Sequence, residues 1–422
     1  MMSERLLRII APADVHEFPK SELDGDTLSI ATAIVADVKQ RGEEALIEHA
    51  QRLGDLRTGE RMIYHRDDFA AAMNSLTTDK RNVIERTGER IRTFAQAQRN
   101  SLSEIAIPIE GGRAGQTIAP VESAGCYAPG GRYPLPSSVL MTAIPARVAG
   151  VNRVWVASPR PQPETLAACA VAEVDHLLAV GGAQAIAALA YGAGMVPPCR
   201  MIVGPGNRFV TAAKKIVYGD VGIDMPAGPS ELVVLADDSA DPAWLAADLL
   251  AQAEHDPDAI VALIATDRKI VDRVEHQLAE QLSALPTADI ARRALQHSFA
   301  VVAADLAESV ALCNRLAPEH LSLQIVEARQ VQPELQHYGA LFIGAASAQV
   351  LGDYGAGPNH VLPTGGTSHF SGGLSVFNFL RVRTWMEVDR PAAAASLFDE
   401  ATRMAQMEGL VAHANSAKIR LP

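Results

Sequence analysis

Gln252 and His255 stand three residues apart near the end of an apolar helical run that opens at Asp241-Pro242. Positions three apart share one helix face, so an amide oxygen and an imidazole can reach the same ion. Glu319-His320 follows Pro318, and proline disfavours helix in the residue before it. An adjacent carboxylate and imidazole suit proton transfer near neutral pH. The run from Leu351 to Thr367 is rich in glycine and proline, which argues for a tightly turned loop rather than a helix or central strand. It carries Asp353 and His360. His413 lies close to the C-terminus, five residues after Glu408. Taken singly, each cluster also reads blandly: a histidine at a helix end, a solvated loop pair, a capping aspartate, a tail histidine. Their combination points to a metal-assisted, proton-moving site.

A second set of residues suits an anionic cofactor. Gly204-Pro-Gly-Asn207, Gly181-Gly-Ala-Gln184 and Cys126-Tyr-Ala-Pro-Gly-Gly131 each sit in a glycine-rich turn. Backbone amides at a helix N-terminus favour phosphate. No G-x-G-x-x-G fingerprint is present, so a dinucleotide would be held in a non-standard way. Met225-Pro-Ala-Gly-Pro-Ser230 is a rigid turn ending in a hydroxyl.

These residues need a scaffold, and the alternation of patterns supplies one. Apolar strand-like runs at 154–157, 176–180, 200–203, 232–235, 260–264, 299–302, 321–325 and 340–343 alternate with helical stretches. Such alternation predicts an α/β fold with parallel sheets covered on both faces. Residues 24–99 read as helical, 106–124 as strands, and 391–409 as a helix stopped at Gly409. The expected organisation is an arm at 1–23, a discontinuous α/β domain from 24–124 and 232–380, a second α/β domain at 125–231, and a helical dimerisation segment at 381–422.

Composition narrows the function classes. The 422 residues are 48% hydrophobic and 20% charged, ordinary for a well-packed soluble protein of two or three domains. The net charge is −12 and the pI about 5.5, with no basic run, which argues against nucleic acid. No segment approaches transmembrane length and the first residues lack a signal-peptide core, so no membrane association and a cytoplasmic location are expected. The four cysteines, Cys126, Cys169, Cys199 and Cys313, form no C-x-x-C pair and read as reduced thiols.

The longer words containing these residues resemble the histidinol dehydrogenase family. They include PSSVLMTAIPA, VGGAQAIAALAYG, IVGPGN, MPAGPSE, QAEHDP, RLAPEHL and GDYGAGPNHVLPTGG, with the tail histidine, over about residue 25 to the C-terminus. The resemblance implies two incomplete Rossmann-like three-layer domains with parallel-rich sheets and small terminal appendages. It implies NAD-dependent, two-step oxidation of L-histidinol through L-histidinaldehyde to L-histidine, the last step of histidine biosynthesis. It also implies one Zn2+ per subunit on Gln252, His255, Asp353 and His413, with His413 lent across an intertwined homodimer. Glu319 and His320 would be the acid/base pair. Ser230, Gln252, His255, His320, Asp353, His360, Glu408 and His413 would contact substrate, Glu408 again across the dimer. Tyr127, Gln184 and Asn207 would contact NAD. Arg132-Tyr133 departs from the small residues many relatives carry there. Competing readings are a related alcohol dehydrogenase with another small polar alcohol, a zinc hydrolase with Glu319 activating water, a thiol-dependent aldehyde dehydrogenase using Cys126, and a non-catalytic binding protein.

Overall fold

The computed structural model describes residues 5–19, 23–130 and 134–421. Arg132 and Tyr133 lie outside the described residues. The strands in chain order are β1 (Arg8–Ile10), β2 (Ile63–His65), β3 (Ile105–Ile109), β4 (Gly112–Pro120), β5 (Ser123–Tyr127), β6 (Arg153–Ala157), β7 (His176–Leu178) and β8 (Met201–Val203). They continue as β9 (Gly222–Ile223), β10 (Glu231–Ala236), β11 (Ile260–Ala265), β12 (Phe299–Val302), β13 (His320–Gln324), β14 (Ala340–Ile343) and β15 (Leu380–Val388).

Two six-stranded sheets organise the molecule. The first, ordered β1-β12-β11-β10-β13-β14, is parallel throughout. The second, ordered β2-β7-β6-β5-β8-β9, is parallel except for the β2 edge. Each sheet separates two apolar clusters, as the two-residue period of a strand requires. Val154 and Val156 enter one cluster and Trp155 and Ala157 the other. Leu232, Val234 and Ala236 likewise point away from Val233 and Leu235. This is the expected α/β architecture with both faces covered.

The strand pairing divides the chain differently from expectation. Residues 24–124 do not join the 232–380 domain as a block. Within the stretch read as wholly helical, β2 pairs antiparallel with β7, and the helix Gly25–Arg41 buries Ile34, Val35 and Val38 in the cluster that holds Ile186 and Val210. The helix Thr78–Asn100 buries Ile84 and Ile91 against Leu140 and Ile144 of the helix Pro136–Ala149, leaving Val83 and Phe94 exposed. Helical periodicity showed which faces were apolar, but not which sheet they would cover. The N-terminal arm supplies β1 as an edge strand beside β12. Downstream, β15 pairs antiparallel with β4, which also pairs with β3, making a third small sheet. The helices Ala395–Met407 and Val411–Lys418 then fold against each other.

Among the described residues, no helix is long and apolar enough to cross a membrane.

Candidate active site

The site forms where the two large sheets approach each other. Strands β10 and β13 present their N-terminal ends, at Glu231 and His320, while β5 and β8 end in the turns that carry Pro129 and Pro205. A cleft of about 200 Å³ between them is lined by Ser230, Gln252, His255, Glu319, His320, Asp353 and His360, together with Ser137, Ser138 and Tyr354. Seven expected site residues from four separate segments therefore converge.

Each is placed by a local cause. The helix Pro242–Ala253 starts with Asp241 accepting the amide of Ala243, which has Pro242 before it, a favourable start. It holds Gln252 but ends two residues before His255: Glu254 caps it, and His255 lies just beyond, its amide bonded to the Gln252 carbonyl at 3.3 Å. Ala317 takes a left-handed conformation after the helix Leu306–Leu316, so Pro318 and Glu319 are delivered directly into β13. The glycine-rich run opens with one helical turn, Val350–Asp353, where a loop was expected; the loop follows it.

His320 is buried, and its Nδ1 lies 3.0 Å from the Glu231 carbonyl. A carbonyl only accepts, so Nδ1 carries the proton and neutral His320 offers its lone pair at Nε2. Nε2 is 3.9 Å from Asp353 Oδ1, and Nδ1 is 3.5 Å from Glu319 Oε2. His360 is held in the same way, its Nδ1 donating to the Asp353 carbonyl at 3.1 Å, which leaves Nε2 buried without a partner. Burial pushes the pKa of both rings down to about 4, so both are neutral at pH 7. Burial also raises the Glu319 carboxyl well above its ordinary range, although its Oε2 accepts the Glu231 amide at 2.9 Å. Asp353 is pushed up to about 6, mainly by burial.

Further lone pairs point at a missing partner. Gln252 Oε1 and Asp353 Oδ2 are buried and unbonded. An unsatisfied buried acceptor costs about 1–3 kcal/mol, so several in one cleft argue for a group that uses them. With the exposed His255 at the rim, this is a mixed N and O donor set of the kind zinc accepts. Among the described residues, no group of three or more His, Cys, Asp or Glu is placed to hold a metal ion.

The remaining expected residues lie elsewhere. Tyr127 ends β5, and its hydroxyl accepts the Gly182 amide at 3.1 Å; Gln184, in the first turn of the helix Gly182–Tyr191, reaches Asp55 at 3.2 Å. Asn207 caps the helix Arg208–Val217 through Phe209 and Val210. From β5 the chain moves out to β6 and β7, then returns to place β8 on the other side, so Tyr127 and Gly204 flank the topological switch point where open α/β sheets bind ligands. Glu408 and His413 are exposed on the C-terminal helices and do not line the cleft. The sequence reading missed Glu231. Its carboxylate accepts Gly365 at 2.7 Å and Glu319 at 3.4 Å, and burial raises its pKa to about 8. An acidic residue heading an otherwise apolar parallel strand was the available signal. Cys126 is buried and pushed up to about 12 by that burial, unsuited to act as a nucleophile.

The sequence matches the histidinol dehydrogenase family profile over residues 19–421. The chain belongs to the histidinol dehydrogenase family. It is 45% identical to histidinol dehydrogenase of Thermus thermophilus, covering 93% of this chain and 94% of the relative. It is 42% identical to that of Nitrosomonas europaea, covering 94% and 93%. The crystal structure of histidinol dehydrogenase from Elizabethkingia anophelis superposes with a TM-score of 0.93 at 31% identity, covering 99% of this chain and 98% of that one. The fold and an oxidoreductase role follow from membership, which sets aside the hydrolase reading.

Proposed function

We propose that this chain is a histidinol dehydrogenase, oxidising L-histidinol twice to L-histidine with NAD as hydride acceptor and one zinc per site. The observation that carries the reading is His320 Nε2, free to accept a proton, in one cleft with Glu319 and the unbonded oxygens of Gln252 and Asp353. Gln252, His255 and Asp353 would hold zinc from this chain, with His413 lent by a second copy. The metal would bind the amino alcohol and orient it. Zinc with open positions also suits the imidazole and amine nitrogens of histidinol.

His320 accepts the hydroxyl proton at Nε2 while the carbonyl of Glu231 fixes the ring. Glu319, its carboxyl raised by burial, is a base once ionised and activates the water that hydrates the aldehyde. Ser230 and His360 face the same space and orient the substrate. Enclosure of the aldehyde between the two sheets limits its loss. Tyr127, Gln184 and Asn207 place NAD at the switch point. The exposed Met404, Met407, Leu410, Val411 and Ile419 of the C-terminal helices support a homodimer with shared sites.

The test is NADH formed per L-histidinol consumed, with and without a zinc chelator. Two NADH per substrate, lost on chelation and restored by zinc, is the expected result. A zinc-loaded, folded protein that forms no NADH from histidinol would place the chain among dehydrogenases of another small polar alcohol.

A further inference from the structure

Lys214 and Asp224 form an ion pair at 2.5 Å with side chains 2% and 0% exposed. Neither belongs to the chemistry described above. A fully buried pair is weak evidence for stability, because desolvating both ions offsets most of their attraction. Its bonding shows a different purpose. Lys214 Nζ donates to the Gly204 carbonyl at 2.9 Å, and Asp224 Oδ2 accepts the Gly204 amide at 2.7 Å. Both peptide groups flanking one glycine are thus gripped by one ion pair.

Gly204 needs such a grip. Its φ is +119°, and a Cβ there would sit 2.1 Å from the Tyr127 carbonyl oxygen. The turn it begins carries Pro205 into the cleft wall and leads to Asn207. The helix Arg208–Val217, which carries Lys214, fixes the next segment as well: Thr211 Oγ1 donates to the Ala227 carbonyl at 2.9 Å, and from a separate loop Thr364 Oγ1 accepts the Gly228 amide at 2.6 Å, just before Ser230. One helix therefore ties the turn after β8 to the segment that presents Ser230.

We propose that Lys214 and Asp224 are positioning residues that set the Gly204-Pro205-Gly206 turn for the dinucleotide. The proposal rests on the reading that NAD binds at Tyr127, Gln184 and Asn207. Displacement of an oriented reactant by about 1 Å is enough to cost on the order of a hundredfold in rate, so a loosened turn should be visible kinetically.

The experiment compares Lys214→Met, Asp224→Asn and the double variant Lys214→Met/Asp224→Leu with wild type, all zinc-loaded. Lys214→Met strands a buried carboxylate and should lower the melting temperature most. The double variant removes both charges and should recover much of that loss. Its KM for NAD should nevertheless stay about tenfold raised, with the KM for histidinol altered less than about twofold. Asp224→Asn keeps an acceptor for the Gly204 amide, folds, and should raise the KM for NAD about threefold. A folded double variant or Asp224→Asn with the wild-type KM for NAD overturns the proposal. Gln184→Ala and Asn207→Ala distinguish the two levels. If both leave the KM for NAD unchanged, the placement of the nucleotide fails and this proposal falls with it. If they raise it while the Lys214 and Asp224 variants do not, only the positioning role fails.

Discussion

A histidine whose Nδ1–H is committed to a carbonyl can act only through Nε2. In His320 that commitment is made to the Glu231 main chain, which moves with β10, so the ring is oriented by a strand rather than a mobile side chain. His320→Asn removes the proton acceptor and should lower kcat by roughly 10²–10⁴-fold, the usual worth of general base catalysis. Zinc content, measured by metal analysis of the purified variant, should be unchanged. Loss of zinc would mean that His320 holds the metal rather than the proton. A second residue, Asp248, offers a pH test away from the reacting groups. It lies one turn before Gln252, its Oδ2 accepts Gln324 Nε2 at 2.9 Å, and burial raises its pKa from 3.8 to about 6. Between those values the folded chain keeps a proton that the unfolded chain has lost. Stability from this group therefore falls as pH rises through that window and is level above it. Asp248→Asn cannot titrate. Its melting temperature relative to wild type should climb from pH 4 to pH 6 and then stay constant; a pH-independent difference would contradict the buried protonated carboxyl.

The elements explain how much could be read in advance. Strands at β6 to β8 and β10 to β14 were legible because each is a short apolar run between turn residues, as β10 shows with Leu232-Val-Val-Leu235. The sheet to which the helices of residues 25–100 belong was not legible. Their apolar faces carry no address, and β2 is only three residues long, with one buried member, Ile63. Periodicity also overstated the core, since Phe94 falls on the helical stripe yet is 39% exposed, lining a larger cleft of about 610 Å³ that reaches His320 and His360. At the site, side-chain types at motif positions were legible; for Glu231 the sequence offers only an acid heading an apolar strand, because its work depends on the cross-strand neighbours Glu319 and His320. The turn after β8 gives the element-scale prediction. Gly204→Ala forces a methyl group against the Tyr127 carbonyl in a left-handed backbone that alanine resists. The variant should melt earlier and bind NAD more weakly, by calorimetry and NADH fluorescence respectively. Wild-type values in both would mean that the turn tolerates a shift the packing does not suggest.

On the scale of the whole molecule, the proposed zinc shell draws on two parts of the chain that stand apart. Gln252, His255 and Asp353 face the cleft, while His413 stands exposed on a helical hairpin whose Met407 and Ile419 are 75% and 78% exposed. The proposed two-fold dimer would account for both, since an isologous interface would bury the same apolar surface on each partner and could carry each tail to the other's cleft. The arrangement makes a prediction that no single-chain site can satisfy. His320→Asn and His413→Ala should each be nearly inactive alone. In a hybrid of the two, one site combines both lesions, and the other pairs an intact His320 with an intact His413. Mixing equal amounts under conditions that exchange subunits should therefore restore about a quarter of the wild-type rate, because about half of the random dimers are hybrids and each has one working site. Recovery should follow subunit exchange in time and vanish when exchange is blocked by crosslinking before mixing. Absence of recovery despite demonstrated exchange would place the fourth ligand within the same chain, and the C-terminal helices would then have to move far from where they pack.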